Sequence, residues 1–409
     1  MSTPHGPGPF PPSPASGPPS AAHPPAPPTG YPPVAAPSAP PAPSVPPSGQ
    51  SPRRGRGIAS LRLRGLWLVT SLELRQRLRS KRWYVALGVW TVVMLGIGGL
   101  GLAPTLYTSQ WDAIREVAAV IFSLQAILVL FAMLLVVPAL SAGSINGDRT
   151  AGTLATLQSS LLSPTEIVLG KLLAGFLTGV AFLVLALPSL LPVAVLGQVG
   201  ILYFLRVLLV ILLLTLCVTA VGLGLSSLTA RQLGSVVLAY VIVFGLTIVM
   251  PITWGVSALF VTQEREMTVY STTWTDAGEP DVCEAEVRDV EVPRVDLTLP
   301  LMWGNPVVLL AEAAPVLTQD FWADDQDVDV LSLIKAGIKV TATTTHPAHW
   351  VYCDPADEGY PDHIAEVPNR PVWPMGLGLW LLGGGLSVLV AIRRLAVPIR
   401  RLGPGTRIA

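Results

Sequence analysis

SINGDRTAGTLATLQSSLLSPTEIVLGK, residues Ser144 to Lys171, separates two apolar runs, one of more than twenty residues before it and one of nearly thirty after it. Leu154, Leu157 and Leu161 recur at i, i+3 and i+7, which predicts a short helix with one apolar stripe. Gly152 stands just before the stripe and Gly143 and Gly147 further upstream, so a turn is expected after the preceding run. Ser163-Pro164-Thr165-Glu166 then reads as a helix start: Ser163 as N-cap, Pro164 as first helical residue, Glu166 as the N3 partner of a capping box. The stretch is therefore expected to be a structured helix-turn pressed against a membrane, with Lys171 at the membrane edge. A capped loop with no docking role is the plainer alternative.

The membrane follows from composition. The 409 residues are 51% hydrophobic and 13% charged, with a mean hydropathy of +0.57, outside the range of ordinary soluble domains. Crossing a hydrocarbon core of roughly 30 Å takes about 20 apolar residues. Six runs qualify: Trp83–Ala103, Val117–Leu140, Ile167–Leu196, Ile201–Leu228, Leu233–Phe260 and Val372–Ile392. The expected fold is an all-α polytopic membrane protein with six transmembrane helices.

The net charge of zero hides a segregation that sets the orientation. Between Val261 and Val372 lie 21 of the 26 acidic residues and 6 of the 26 basic ones. Ten basic residues cluster between Arg53 and Arg82, before the first run, and five more follow the last. Excess Lys and Arg stay cytoplasmic, so both termini are expected inside, as an even number of spans requires. Residues 261–372 are then extracytoplasmic, residues 373–392 the sixth span, and residues 393–409 a basic cytoplasmic tail.

Residues 1–55 form a Pro-rich region, with 20 prolines in the first 50 residues. It lacks the apolar side chains for a core and is expected to be a disordered cytoplasmic tail of polyproline II character. A passive tail and a ligand for a proline-binding partner both fit. Residues 56–82 read as an amphipathic helix at the cytoplasmic interface. Leu63, Trp67, Thr70, Leu74 and Leu78 share one face, and Arg64, Ser71, Arg75, Arg79 and Arg82 another, suited to anionic headgroups. A basic stop signal with no defined helix is the alternative.

INGDRTAGTLATLQSSLLSPTEIVLGKLLAG resembles the segment between the second and third spans of type 2 ABC transporter permeases. Asp148 stands where that family usually carries Glu, while Arg149, Gly152, Thr153, Leu154, Pro164, Gly170 and Lys171 fall in step. The basic ELRQRLRSKRWYV is similar to the family's connecting helix, and the resemblance covers about residues 60–260 plus the last span. It implies that residues 144–167 dock on a separate cytoplasmic ATPase, the apolar stripe entering a groove and Asp148 and Arg149 lying at its rim. It also implies a second permease copy, identical or related, and an exporter in the plasma membrane. No phosphate-binding Gly-x-x-x-x-Gly-Lys-Ser/Thr loop is present, because Gly170-Lys171 is followed by Leu172. ATP and Mg belong to the partner ATPase and no cofactor is expected in this chain, nor a nucleic-acid partner.

The stretch 261–372 is far longer than most connections. MTVYSTTW and IKVTATTT are rich in β-branched residues, which predicts strands in a small α+β domain. PLMWGNPVVLLAEAAP inside it is apolar but too short to span, and resembles the re-entrant or interfacial helices of the same permeases. Cys283 and Cys353 fall outside the cell, where a disulfide between them is expected, two free thiols being the alternative. His346, His349, Cys353 and Asp354 lie close in sequence but match no strong zinc spacing, and surface histidines are the better reading. No catalytic constellation and no intramembrane carboxylate pair is visible, which argues against an enzyme and against a proton-coupled carrier. The rival reading is a membrane sensor or scaffold that uses its acidic extracytoplasmic domain.

Overall fold

Apolar composition fixes the first level of structure: six helices among the described residues are long and apolar enough to cross a membrane. The computed structural model describes residues 61–107, 110–152, 162–274, 280–317, 328–342, 349–351 and 371–396. The Pro-rich residues 1–55, the Leu154–Leu157–Leu161 stripe with Thr153, and the basic tail beyond residue 396 lie outside the described residues, as do His346, Cys353 and Asp354.

In chain order the elements are α1 (Leu63–Leu78), α2 (Lys81–Leu102), α3 (Trp111–Ser141), α4 (Ser144–Thr150), α5 (Pro164–Leu196) and α6 (Ile201–Leu228). Then come α7 (Gln232–Phe244), a π-turn (Gly245–Val249), α8 (Met250–Ser257), β1 (Thr262–Trp274), β2 (Pro280–Pro293), α9 (Pro300–Trp303) and α10 (Pro306–Ala311). Last are α11 (Val330–Thr341), β3 (His349–Val351) and α12 (Trp373–Leu395). The spans are α2, α3 running on into α4, α5, α6, α7 through α8, and α12. α3 starts at Trp111 rather than at the expected Val117, with Asp112 in its first turn where a carboxylate favours a helix start.

α5 is the hub, packing on α1, α2, α3, α6 and α12. Its 33 residues make a rod of about 50 Å, longer than a hydrocarbon core. The main core is built from Phe122, Leu130 and Met133 of α3, Leu190 of α5, Ile211 and Leu214 of α6 and Trp380 of α12. Many large apolar side chains of α2, α7 and α12 instead point outward, among them Val92, Leu100, Val241 and Leu382, as a lipid solvent allows. α5 turns into α6 through Gly197, where an added Cβ would lie 2.7 Å from the Ala119 nitrogen, and Gln198, with φ +48°. The glycine is committed to close packing on α3, so the left-handed position falls to its neighbour.

β1 and β2 form an antiparallel hairpin with Thr262 opposite Pro293 and Glu266 opposite Asp289, and β3 adds parallel to β1 in the order β2-β1-β3. MTVYSTTW lies in β1, but Ile338–Thr341 of IKVTATTT end the helix α11, correcting the expected second strand. A capping box decides this: the Asp329 carboxylate accepts from the Ser332 N–H at 2.7 Å, and Leu331, Ile334 and Ile338 then recur at helical spacing. Cys283 is in β2, in register with Thr272. With Cys353 outside the described residues, the expected bridge is not placed.

PLMWGNPVVLLAEAAP becomes α9 and α10, and Leu309, Leu310, Ala311, Ala313 and Ala314 join the main core as a wedge among the spans. Lys335 of α11 ends this wedge, its ammonium donating to the Glu312 and Ala314 carbonyls at 3.2 and 2.6 Å. Burial lowers the Lys335 pKa, Lys339 adds to the shift, and Glu312 opposes it. Beside α11 a cavity of about 380 Å³ is lined by Tyr203, Gln198, Val316 and Asp329, with the Tyr203 hydroxyl donating to Asp329 at 2.6 Å.

Candidate functional site

The opposite end of the bundle, where α1 lies, gathers the described part of the 144–171 stretch. α4 carries on from α3 after Ala142-Gly143, and of the three glycines expected to allow a turn it is Gly152 that has the left-handed backbone, with φ +70°. The early glycines are not needed for a turn because α4 is seated on its neighbours. The Ser226 hydroxyl accepts from the Ile145 and Asn146 N–H groups at 3.1 and 3.2 Å. The Asn146 amide donates to Thr229 at 2.9 Å, and Ser235 donates to the Ala142 carbonyl at 2.6 Å. Arg149 reaches back to the Asn146 side chain at 3.4 Å. Beneath them Ile145, Ile167, Val168, Leu223, Ala391 and Leu395 form a small core of their own, distinct from the main one.

Ser163 is the N-cap of α5 and Pro164 its first residue. The Ser163 hydroxyl accepts from the Glu166 N–H at 3.2 Å, and Glu166 accepts from the Ser163 N–H at 2.8 Å. The other Glu166 oxygen accepts from the Arg62 N–H at 2.8 Å, so one buried carboxylate starts both α1 and α5. At Gly65 an added Cβ would lie 2.8 Å from the Glu166 carboxyl carbon, which leaves room for no larger residue. Glu166→Ala is expected to lower stability by about 1 kcal/mol, the cost of an N-terminal cap, and Glu166→Gln by less; thermal melting in detergent measures both.

α1 runs alongside α5 rather than across the bundle. Gly65 meets Glu166, Thr70 donates to the Gly170 carbonyl at 3.1 Å, and Arg77 donates to Thr178, so contacts advance together along both helices. Of the residues expected on the apolar face, Thr70 packs against α5. Val69 and Thr70 are buried, whereas Leu63, Trp67 and Leu78 are exposed. Close approach sets the rotation: a Cβ at Gly170 would lie 2.7 Å from the Val69 Cβ. Arg77 also donates to the Ala174 carbonyl at 3.3 Å; burial lowers its pKa and Glu73 partly offsets that.

Lys171 joins these parts. Its side chain is 2% exposed and pairs with Glu73 of α1 and, at 2.7 Å, with Asp148 of α4. From the sequence Lys171 is legible only as a membrane-edge residue, and Glu73 carries no expected role. A signal was present: Glu73 is the one acid among the ten basic residues of 53–82, and Lys171 the one base in α5. The junction carries no nucleophile–base pair. It joins α4 to α6 and α7 through Ser226, Thr229 and Ser235, and to α1 and α5 through Lys171.

A family model described as "ABC-2 family transporter protein" matches residues 67–306, from within α1 to the start of α10. No curated protein matches the chain.

Proposed function

The chain belongs to the ABC-2 transporter family, and on that premise we propose that it is the permease subunit of an ATP-driven exporter, worked through residues 144–167 by a separate cytoplasmic ATPase. The observation that carries this reading is the Glu73–Lys171–Asp148 junction, which ties the segment on either side of Gly152 to two spans and to α1. ATP-driven closure of paired ATPase subunits would move that segment and bias the bundle between two arrangements. ATP and Mg are held by the ATPase. Thr153, Leu154, Leu157 and Leu161 supply the surface that enters its groove, with Asp148 and Arg149 at the edge.

We assign the α1 end to the cytoplasm and the sheet end to the outside of the plasma membrane. The ten basic residues of 53–82 and the five after the sixth span support this orientation. A single set of six spans offers little surface with which to enclose a path, which supports pairing with a second permease copy.

Replacing Leu154 and Leu157 together with Asp is expected to abolish recovery of the ATPase with the purified permease while insertion into the membrane continues. Undiminished ATPase recovery would reject the docking assignment. Wild-type permease that binds no ATPase at all would favour the sensor reading.

A further inference from the structure

The fifth span is broken near the sheet end, and the break has a local cause. Pro251 has no N–H to return to the Thr247 carbonyl four residues back, and its ring crowds that carbonyl. The helix answers with the π-turn Gly245–Val249, closed by the Met250 N–H to the Gly245 carbonyl. The Thr247 carbonyl is taken instead by the Asn305 side-chain amide at 3.1 Å. Asn305, 2% exposed, sits at the corner of the wedge, where its carbonyl oxygen also caps α10 by accepting from Val307 and Val308 at 2.8 and 3.2 Å.

The corner is gripped from two sides. A Cβ at Gly304 would lie 2.8 Å from Leu246 of the π-turn, and the Trp380 indole of α12 donates to the Gly304 carbonyl at 3.2 Å. Beyond the break, α8 buries none of its residues. Polar bonds to the segment leading into the wedge tie it down: Trp254 to the Val295 carbonyl at 3.1 Å, and Ser257 with Thr298 at 2.6 Å. A half-span at a proline break, held by these hydrogen bonds and by Trp254 against the cluster of Met302 and Val308, is suited to move as a unit.

One detail shows what a released state gains. Nine threonines in the described helices or at their ends, such as Thr215, Thr219 and Thr253, donate their hydroxyl to the carbonyl four residues back. Among the described residues the Thr247 hydroxyl is buried without a partner. A regular turn would return it to the Val243 carbonyl. Release gives up the Asn305–Thr247 bond and gains the Thr247–Val243 one, so part of its cost is returned.

We propose that Asn305 is a gating residue: its amide latches the outer half of the fifth span to the wedge, and its release lets α8 swing about Pro251 to open the sheet end. The role of that opening in cargo release rests on the permease reading above; the latch does not.

The test is hydrogen exchange on the purified full chain in lipid nanodiscs, read in peptides covering 245–257 against a control in α6. Asn305→Ser keeps a good helix cap but cannot reach Thr247, and should speed exchange in 245–257 about fivefold, the worth of one ordinary hydrogen bond. Thr247→Val removes the bond that the released form gains and should slow the same exchange. Loss of a merely structural contact would speed exchange in the α6 control along with 245–257. Equal speeding in the control, or no change with Asn305→Ser, overturns the latch. ATPase docking does not enter the measurement, so failure of the coupling reading would leave this result standing.

Discussion

Lys171→Met is expected to lower the stability of the permease by about 2–3 kcal/mol and to uncouple ATP hydrolysis from transport. Breaking a buried ion pair by removing one partner costs about 3–5 kcal/mol, because the remaining charge stays behind without compensation. Here two carboxylates are left, but Glu73 is 15% and Asp148 24% exposed, and water reaching them discounts the figure. The measurement is thermal melting together with ATP-driven flux in proteoliposomes. Neutralising both acids as well, in the triple variant Lys171→Met, Glu73→Gln, Asp148→Asn, removes the orphan charges and should recover most of the stability. Flux should not recover with it, because the three elements are then no longer tied. A single variant within 0.5 kcal/mol of wild type with normal flux would show the junction to be ornamental. The two arms separate further: Glu73→Gln frees α1 from α5, whereas Asp148→Asn frees α4, and the coupling role predicts the larger loss of flux from the second.

Much of this architecture is legible in the sequence because it depends on local terms. Span positions follow from apolar length alone, and Ser163, Pro164 and Glu166 announce their cap because all its partners lie within four residues. The ion junction is not legible, since Glu73, Asp148 and Lys171 meet only after three elements have packed. The rotation of α1 is hidden for a similar reason. Leu63, Trp67, Leu74 and Leu78 mark one face, but which side of α1 meets α5 falls to the fit of Val69 against Gly170. At Ile338–Thr341 β-branched composition pointed to a strand, but a capping box with an apolar period outweighs intrinsic preference. The wedge is visibly too short to span, yet its burial beside Trp380 and Leu246 is a tertiary outcome. The break at Pro251 had a sequence signal; what could not be read was that Asn305, 54 positions later, would take up the freed carbonyl.

Gly222→Ala is the second large effect expected, because it strikes where α3 passes into α4. A Cβ on Gly222 would lie 2.1 Å from the Ser141 hydroxyl oxygen, 3.0 Å from its Cβ and 3.2 Å from the Ala142 nitrogen. Ser141 cannot easily move aside, since its hydroxyl is buried and donates to the Val137 carbonyl at 2.8 Å. Overpacking of this kind costs about 1–3 kcal/mol, and Gly222→Val, which adds bulk against backbone, should prevent recovery of folded protein. The cost will not stay local. Leu223 and Ser226 on the same helix hold Ile145 and Asn146, so pushing α6 away from Ser141 also lifts α4 from its seat. Gly222→Ala should therefore weaken ATPase recovery as well as lower the melting temperature. Adding Ser141→Gly removes both the hydroxyl and the Cβ, the two nearest atoms, and should restore most of both losses. A double variant no better than Gly222→Ala would mean that the backbone, not the Ser141 side chain, limits the approach. A Gly222→Ala variant that melts like wild type would mean that α3 and α6 can part here without disturbing the seat of α4, and the tight crossing would then have no part in carrying motion to the spans.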